Sequence, residues 1–366
     1  MNRSTSAIVI GGGIIGCTVA LELAKRNMHV TVLDKGALGQ EASTAAAGML
    51  GAQVETHHPG PFYELCAASQ QMYREWAREL QEISGVSPQY IEQGIVRVAL
   101  TEEDEAELRS RLPWIRNAEW IDGADARSLE PAIADAARGG LYFGRDHQVH
   151  PIHLMNALRA ALSRIGCEAR EWTPALRLIV RDGRVTGVKT TDGDLYADHT
   201  VLAAGAWSPA LLEPLAVKLP LFPVRGQCIS VRTDAPPIVR TVFTKGCYIV
   251  PKQDGTLLIG ATQEEAGFNK KTTVSVVSEL HRRATALLPA LSGAEFVSTW
   301  AGLRPGTPDG LPYMGQLQEA PGLTFATGHF RNGILLAPVT GKLVAGLLDG
   351  DQPALDLSPF SPERVQ

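Results

Sequence analysis

The sequence predicts an α/β fold in which a parallel sheet, flanked by helices, carries a second, mainly antiparallel sheet as an insertion. Three features of the 366 residues support this fold class. A short apolar strand at residues 7–10 runs directly into a glycine pattern and a helix, and a second strand at residues 28–33 ends in an acid. A long middle region contains mostly short strands with Asp-Gly turns, which are typical of hairpins.

The glycine pattern is G-x-G-x-x-G, with its glycines at Gly11, Gly13 and Gly16. In a dinucleotide-binding turn the first glycine allows the tight turn, the second lets the backbone approach a pyrophosphate, and the third lets helix and strand pack closely. Ile14 and Ile15 begin the helix, whose free N–H groups and partial positive charge favour phosphates. The segment predicts a dinucleotide site, and a glycine-rich turn in an ordinary α/β protein is the alternative.

The acid after the second strand supports the dinucleotide interpretation. Asp34 lies 18 residues beyond Gly16, where a carboxylate can bind the ribose hydroxyls of an adenine dinucleotide. Lys35 follows directly, and we expect both residues at the cofactor.

The run of small residues at 41–51 favours FAD over a nicotinamide cofactor. A nicotinamide dehydrogenase would usually continue into another crossover helix and parallel strand. Here Ala42, Ser43, Ala47 and Gly48 instead let the backbone pass close to a flat ligand. The glycines of the run also argue against a long uninterrupted helix. A nicotinamide-dependent dehydrogenase remains an alternative.

A second cofactor segment lies near the end of the chain. A predicted strand at residues 323–328 leads through a loop into an apolar helix from Ile334 to Leu348, in which Pro338 is tolerable only near the first turn. The N-terminus of that helix would stabilise negative charge on a reduced flavin. The loop consists of His329, Phe330, Arg331, Asn332 and Gly333.

Composition excludes several function classes. With 45% hydrophobic and 20% charged residues and a net charge of −5, the chain is typical of a globular protein and gives no electrostatic reason to expect nucleic acid. No apolar run approaches the roughly 20 residues of a membrane span. The glycine pattern close to Met1 argues against a cleaved signal peptide. Five scattered cysteines form no disulfide framework, which fits the cytoplasm.

Three histidines raise the question of a metal site. His147, His150 and His153 are three apart, but Pro151 interrupts a regular helix there. No cysteine or paired carboxylate completes a set of ligands, so we expect no metal.

The remaining pattern predicts further helices and strands. We expect helices at 62–84, 102–112, 152–165 and 276–288, and strands at 94–100, 176–180, 185–190, 195–196, 200–203, 248–250 and 257–259. The pattern also predicts two domains. The FAD-binding domain would comprise residues 1–85, 145–215 and 300–366, and the substrate-binding domain residues 86–144 and 216–299.

Six segments resemble the D-amino-acid-oxidase-like family of FAD-dependent oxidoreductases, and within it the glycine oxidase branch of thiamine synthesis. Besides the glycine pattern, they are STAAAGMLGA from Ser43, VLAAGAWS from Val201, CYIVPK from Cys247, WAGLRPG from Trp300 and GHFRNGILLAPVTG from Gly328. The resemblance implies a Rossmann-like FAD-binding domain of the D-amino-acid oxidase/glutathione-reductase-2 type with an inserted substrate-domain sheet. It also implies non-covalent FAD, because no cysteine follows Cys247.

The resemblance implies roles for individual residues. Arg304 corresponds to the arginine that binds the substrate carboxylate, Tyr248 to a tyrosine that assists it, and Arg331 to an arginine on the substrate side. For Arg331 a phosphate or backbone partner is the alternative. Met49 would line the flavin ring, and the backbone of Ala175 would contact the nucleotide. The expected cofactor-binding residues are Gly11, Gly13, Ile14, Ile15, Gly16, Asp34, Lys35, Ala42, Ser43, Ala47, Gly48, Met49, Ala175, His329, Phe330, Arg331, Asn332, Gly333, Ile334 and Leu335.

Four positions depart from the family pattern. Ala175 aligns with a family valine whose backbone binds the nucleotide, and backbone contact survives that exchange. Asp34 stands where close relatives often carry glutamate, Gly246 where at least one relative has histidine, and Gln263 replaces a methionine of the pocket. The last two departures leave substrate size and affinity open.

The implied activity is oxidative deamination of glycine, sarcosine and D-alanine by hydride transfer to flavin N5. Oxygen would be the acceptor, hydrogen peroxide a product, and the imine would feed thiazole synthesis. Positioning by Arg304 and Tyr248 makes an essential general base unnecessary. The implied partners are a small amino acid, oxygen, a thiazole synthase and further copies of the chain in a homotetramer. A D-amino-acid or sarcosine-type oxidase or dehydrogenase, and a flavin-binding structural subunit without turnover, remain alternatives.

Overall fold

The computed structural model describes residues 5–215 and 217–366, so the predicted domain limits at residues 1 and 216 lie outside the described residues. The strands are β1 Ser6–Ile10, β2 His29–Leu33, β3 Met49–Leu50, β4 Ile95–Ala99, β5 Ala118–Asp122, β6 Gly139–Phe143, β7 His147–Gln148, β8 Glu168–Arg170, β9 Ala175–Arg181, β10 Arg184–Thr190, β11 Gly193–Tyr196, β12 His199–Leu202, β13 Phe222–Arg232, β14 Thr241–Thr244, β15 Cys247–Pro251, β16 Thr256–Gly260, β17 Glu295–Gly306, β18 Tyr313–Gln316 and β19 Leu323–Thr327. The helices are α1 Ile14–Lys25, α2 Ala42–Ala45, α3 Pro61–Ser84, α4 Glu102–Arg111, α5 Gly123–Leu129, α6 Pro151–Arg164, α7 Val274–Leu287 and α8 Gly333–Asp349. None of these described helices is both long and apolar enough to span a membrane.

Six strands form the first sheet, in the order β18-β19-β12-β1-β2-β8. Neighbouring strands are parallel except for the edge pair β18 and β19. Ile10, the last residue of β1, pairs with Leu33 on one side and Leu202 on the other, so the segments that follow these three strands meet at one edge of the sheet. Helices α1, α3, α6 and α8 share the adjoining core. The predicted α/β fold is confirmed.

Eight strands form the larger sheet, in the order β17-β13-β16-β15-β14-β4-β6-β5. Neighbouring strands are antiparallel except β14 and β4. The strands come from residues 95–143 and 222–306, which confirms an inserted, mainly antiparallel sheet. The predicted domain limit at residue 300 falls inside β17, which pairs with β13 from Glu295 to Gly306. The domain division itself remains a prediction.

The helices and strands that the pattern predicts one by one are confirmed, with ends that differ by at most two residues. Strands β9, β10 and β11 form the expected meander, and β15 and β16 the expected hairpin. The small-residue run contains only the four-residue helix α2 and the two-residue strand β3, as its glycines predict. The pattern does not predict β5, α5 and β6 individually, because their residues show no clear period.

Helix α8 contains a proline further from its N-terminus than the sequence analysis expects. Pro338 lies in the second turn rather than the first, and its missing N–H leaves the Ile334 carbonyl without its usual donor. The Tyr73 hydroxyl of α3 donates to that carbonyl at 3.0 Å. The Ser69 hydroxyl donates to the next carbonyl, that of Leu335, at 2.6 Å. A neighbouring helix therefore satisfies the backbone groups that the proline frees.

Candidate active site between the two sheets

A cavity of about 350 Å³ lies between the two sheets, at the edge where the parallel strands end. The larger sheet contributes Gly226, Tyr248 and Arg304 to its wall. The remaining wall residues are Glu55 and residues drawn from the stretches 10–15, 33–35, 41–49, 174–176, 203–211, 302–305 and 326–334. The glycine turn, the small-residue run and the C-terminal loop thus converge on one space.

The glycine turn packs so tightly that side chains are excluded at two of its positions. Gly11 has φ +106°, and a Cβ there would lie 2.4 Å from the Ala203 carbonyl oxygen. A Cβ on Gly16 would lie 1.8 Å from the Gly11 oxygen, so this residue brings α1 against the turn. The Ser43 hydroxyl accepts the Ile14 N–H at 2.8 Å and ties the small-residue run to the helix N-terminus.

Asp34 lies at the nucleotide end of the cavity. One carboxylate oxygen accepts the Gly12 N–H at 2.8 Å and the other accepts the Gly36 N–H at 2.9 Å. Burial raises the pKa of this carboxyl group, while the two backbone bonds oppose that rise. Each oxygen keeps a second lone pair, so hydroxyl donors of a ribose can still bind. Beside it, the Lys35 ammonium lies 3.3 Å from the centre of the Trp207 ring.

These features fit the predicted FAD. The glycine turn and the N-terminus of α1 form a wall of backbone that suits a pyrophosphate. Further along, the cavity is lined by small residues that leave room for a flat ring: Ala47, Gly48, Ala204 and Gly205. The cavity then continues to the C-terminal loop, as a long dinucleotide requires.

Arg304 lies at the other end of the cavity and projects from β17. Its Nη1 donates to the Thr262 carbonyl at 3.0 Å. Its guanidinium lies over Gly226, where a Cβ would meet Cζ at 2.4 Å, so only glycine leaves room for it. None of its other N–H groups donates a hydrogen bond to a described residue. These groups are therefore available to bind a carboxylate.

Tyr248 projects from β15 into the same end of the cavity. It is buried, with its hydroxyl 3.8 Å from the Cys228 sulfur. Burial raises the pKa of the Tyr248 hydroxyl well above its ordinary value. The phenol is therefore protonated at neutral pH and can donate a hydrogen bond.

Arg331 also faces the cavity, but its guanidinium is engaged with Glu55. Nε and Nη2 donate to the two Glu55 oxygens, both at 3.1 Å. The charge of Glu55 raises the pKa of Arg331 and burial opposes the rise. Arg331 thus lines the cavity as a member of an ion pair with a carboxylate that the sequence interpretation misses, and its place on the substrate side stays a prediction. No signal near Glu55 identifies it, since it lies in a loop far from Arg331 in the chain.

Most of the predicted cofactor residues line the cavity, but Gly16, Asn332 and Leu335 do not. Gly16 packs against the turn, Asn332 precedes α8, and Leu335 points into the core, where it is 1% exposed. Gly246 and Gln263 are not among the lining residues either. The lining residues that sequence reasoning did not single out include Glu41, Glu55, Pro174, Trp207, Gly226 and Gly302.

The structure offers no candidate metal site in the part of the chain that it describes. Among the described residues, no group of three or more His, Cys, Asp or Glu side chains could hold a metal ion.

His329 lines the cavity, and its Nε2 lies 3.0 Å from the Thr340 hydroxyl. Burial lowers the pKa of His329 to about 3. This histidine is therefore neutral at neutral pH and acts there as a hydrogen-bonding group rather than a charge.

Comparison with known proteins gives a consistent result. The family model for FAD dependent oxidoreductases matches residues 6–347. The chain is 39% identical to a glycine oxidase of Geobacillus kaustophilus over all of this chain and 98% of that protein. It is 36% identical to a bifunctional protein ThiO/ThiG of Synechocystis, covering all of this chain and 54% of that protein.

A solved structure gives the same result for the fold. The crystal structure of glycine oxidase from Geobacillus kaustophilus matches with a TM-score of 0.95, 38% identity and coverage of 99% of this chain and 100% of that one. The alternative of a nicotinamide-dependent dehydrogenase is thereby set aside, because the family uses FAD. By its sequence, its fold and the cavity that both sheets build, the chain belongs to the FAD dependent oxidoreductase family.

Proposed function

We propose that this chain oxidises glycine and other small amines or amino acids, such as sarcosine and D-alanine, with FAD and oxygen. The observation that carries the proposal is that Arg304 and Tyr248 face the same cavity as the glycine turn. A carboxylate-binding pair therefore shares one space with the dinucleotide wall. The full-length similarity to proteins named glycine oxidase supports glycine as the substrate.

Arg304 and Tyr248 would hold the substrate carboxylate. The planar guanidinium offers two parallel N–H donors, while its contact with Thr262 fixes its orientation. The protonated Tyr248 hydroxyl adds a third donor from the neighbouring strand. Because the carboxylate is held at one point, the α-carbon keeps one orientation in the cavity, and positioning supplies much of the rate acceleration.

Glu55 and Arg331 would form the opposite, polar wall on the substrate side. Their paired charges cancel, so the region between Arg304 and this wall suits a zwitterion or its neutral amine better than a second anion. The low pKa of His329 removes it as a proton acceptor at neutral pH. The proposed reaction therefore does not use His329 as the base that takes the amine proton.

The chemistry that bound FAD would supply is acceptance of a hydride from the substrate carbon and reoxidation by oxygen, with hydrogen peroxide as the product. The residues that would hold FAD are the glycine turn, Asp34, the run from Ala42 to Met49, Ala175 and the loop from His329 to Gly333. Attachment would be non-covalent, because none of the five cysteines is among the lining residues of the described chain.

The imine product would supply thiazole synthesis. The ThiO/ThiG protein supports this step, since it joins a relative of this chain to a second protein. We further propose a thiazole synthase as the recipient, a homotetramer as the assembly and the cytoplasm as the compartment. A small-amine oxidase that releases its imine to hydrolyse is the alternative.

The first experiment is a visible spectrum of the purified protein without oxygen, before and after glycine. Loss of the yellow flavin band with glycine, and its return with peroxide when air enters, is the expected result. Loss without return in air would identify a dehydrogenase instead. A yellow protein that ignores glycine but responds to bulkier D-amino acids or sarcosine would favour the alternative oxidases of the same fold.

A further inference from the structure

A polar network lies behind Arg304 and leads from the surface of the larger sheet to the carboxylate-binding end of the cavity. Its centre is Glu264, which lies in the segment after β16. One Glu264 oxygen accepts from the Thr262 hydroxyl and from the Gln227 side-chain amide, the latter at 2.9 Å. The other accepts from Arg225 at 2.6 Å. One carboxylate thus fixes three side chains.

The backbone of the segment is tied down at the same place. Arg225 and Glu264 exchange both of their backbone N–H to O bonds, each at 2.9 Å. The Gln227 N–H donates to the Thr262 hydroxyl at 3.0 Å. Gln227 is fully buried, and its side-chain oxygen accepts the Thr273 N–H at 2.8 Å. Thr262 is therefore held from the β13 side through both its hydroxyl and its neighbours.

Thr262 is also the residue that orients Arg304. Its carbonyl accepts Nη1 of Arg304 at 3.0 Å, and the guanidinium has no other hydrogen-bond partner among the described residues. Gly226 beneath the guanidinium leaves it room but offers no polar restraint. The direction of the arginine fork consequently depends on where the Thr262 carbonyl lies. Thr262 is held by the long 3.4 Å bond from its N–H to the Gln227 carbonyl, by the Gln227 N–H on its hydroxyl and by the bond from that hydroxyl to Glu264.

We infer that Glu264 is a positioning residue for the carboxylate clamp: it acts through Thr262 to aim Arg304 at the substrate. The inference rests on the proposed function of Arg304. Glu264 touches neither the cavity nor the cofactor wall. Its loss weakens the hold on the carboxylate equally in the bound substrate and at the transition state, because Tyr248 and the cavity wall still orient the α-carbon, so KM changes more than kcat.

Glu264→Gln tests the inference in the FAD-loaded enzyme. The amide nitrogen cannot accept a hydrogen bond, so whichever way the amide turns, either Arg225 or the Thr262 and Gln227 pair loses its acceptor. We expect the KM for glycine to rise about fivefold to tenfold, the size that the loss of one ordinary hydrogen bond implies. We expect kcat within about twofold of the wild type and an unchanged flavin content.

Glu265→Gln is the matched control, because Glu265 is the exposed neighbouring carboxylate. Thr262→Val is the second variant: it keeps the carbonyl and the volume but removes the hydroxyl that binds Glu264. It should raise the KM in the same direction. A Glu264→Gln enzyme with the KM of the control, or one in which kcat or flavin content falls in parallel, would overturn the inference, and so would an unchanged KM in Thr262→Val.

A titration with acetate separates this inference from the proposed function. Acetate carries the carboxylate but cannot react, and its binding is followed by the change in the flavin band. Glu264→Gln should weaken acetate binding by the same factor by which it raises the KM for glycine. If the wild type binds acetate but does not oxidise glycine, the proposed function fails while the positioning role is still measured. If Glu264→Gln binds acetate as the wild type does, the positioning role is wrong.

Discussion

At the scale of single residues, Arg304 offers the most direct test, because its guanidinium is the group proposed to bind the substrate carboxylate. Arg304→Ala removes two charge-assisted hydrogen bonds, each worth about 1.5–3 kcal/mol. We expect kcat/KM for glycine to fall about 10²- to 10⁴-fold, with flavin binding unchanged. Steady-state kinetics with peroxide detection measures the effect.

Arg304→Lys is the matched control for this prediction. It keeps the charge but loses the planar fork, so its loss of kcat/KM should be smaller than that of Arg304→Ala. Glycine turnover and affinity that survive Arg304→Ala unchanged would show that another group binds the carboxylate.

The pair of Glu55 and Arg331 supports a second residue-scale prediction. The Glu55 side chain is only 9% exposed, so Glu55→Gln leaves the Arg331 charge without its partner in a poorly solvated place. We expect the free energy of unfolding to fall by about 2 kcal/mol. Adding Arg331→Met to the same chain should recover part of that loss, because the unpaired charge is then gone. Urea unfolding of the three proteins measures both changes.

Glu75→Gln provides the comparison for that pair. Glu75 binds Arg78 on the exposed face of α3, where both side chains are more than half exposed. Its change should be within about 0.5 kcal/mol of zero, as is typical of surface ion pairs. Equal effects of Glu55→Gln and Glu75→Gln would contradict the view that Glu55 and Arg331 form a buried, interdependent pair.

At the scale of secondary structure, much of the molecule could be predicted from local pattern. The glycine turn, the strand before Asp34 and helix α3 each follow from neighbours a few residues apart, since period and turn chemistry are local properties. Pro338 is different. Sequence rules allow it only in the first turn, and its position in the second turn depends on Tyr73, a residue from another helix.

Tyr73→Phe tests that dependence. Removing one hydroxyl leaves the buried Ile334 carbonyl without a donor, which costs about 1–3 kcal/mol. We expect the free energy of unfolding to fall by that amount, measured by urea unfolding with saturating FAD. Tyr196→Phe is the control, because Tyr196 is 50% exposed and its loss should have little effect. Equal stability of the two variants would mean that the Ile334 carbonyl, which Pro338 leaves without a donor, does not need the Tyr73 hydroxyl.

At the scale of the whole molecule, the candidate site is made of contacts that the sequence does not encode locally. Family resemblance marks Arg304 and Tyr248 as site residues, but not that Glu55 pairs with Arg331 or that Thr262 orients Arg304. Glu55 and Arg331 are 276 residues apart in the chain, and Thr262 and Arg304 are 42 residues apart. Thr262 and Arg304 meet because β16 and β17 both pair with β13 in the larger sheet, whereas Glu55 and Arg331 meet where two loops approach each other. No period or spacing in the sequence reports such contacts.

Lys252 attaches the small-residue run to the larger sheet. It follows β15 of the larger sheet and is fully buried beside the small-residue run. Its ammonium donates to the Ala47 carbonyl at 2.7 Å, to the Gln148 side chain at 3.0 Å and to the Val149 carbonyl at 3.2 Å. The cavity-lining segment at Ala47 is thereby attached to the sheet that carries Arg304 and Tyr248.

Burial gives this lysine a pH-dependent effect on stability. Desolvation lowers the pKa of Lys252 to about 7, whereas nearby Asp254 opposes the shift. Between that value and the ordinary lysine pKa, the unfolded chain binds more protons than the folded one, so stability rises with pH. From pH 7 to pH 9 the contribution is about 2 kcal/mol. Lys252→Met lacks it, so the stability of the wild type relative to this variant should increase over that interval.

The measurement is urea unfolding of both proteins at pH 7 and pH 9 with saturating FAD, so that the other titrating groups cancel in the difference. Lys245→Met is the control, since the Lys245 side chain is 70% exposed and its difference from the wild type should not change with pH. If the wild type and Lys252→Met differ by the same amount at both pH values, Lys252 keeps its proton in the folded state. Its three acceptors would then compensate fully for burial. A charged Lys252 ammonium would hold the small-residue run at every pH in the interval.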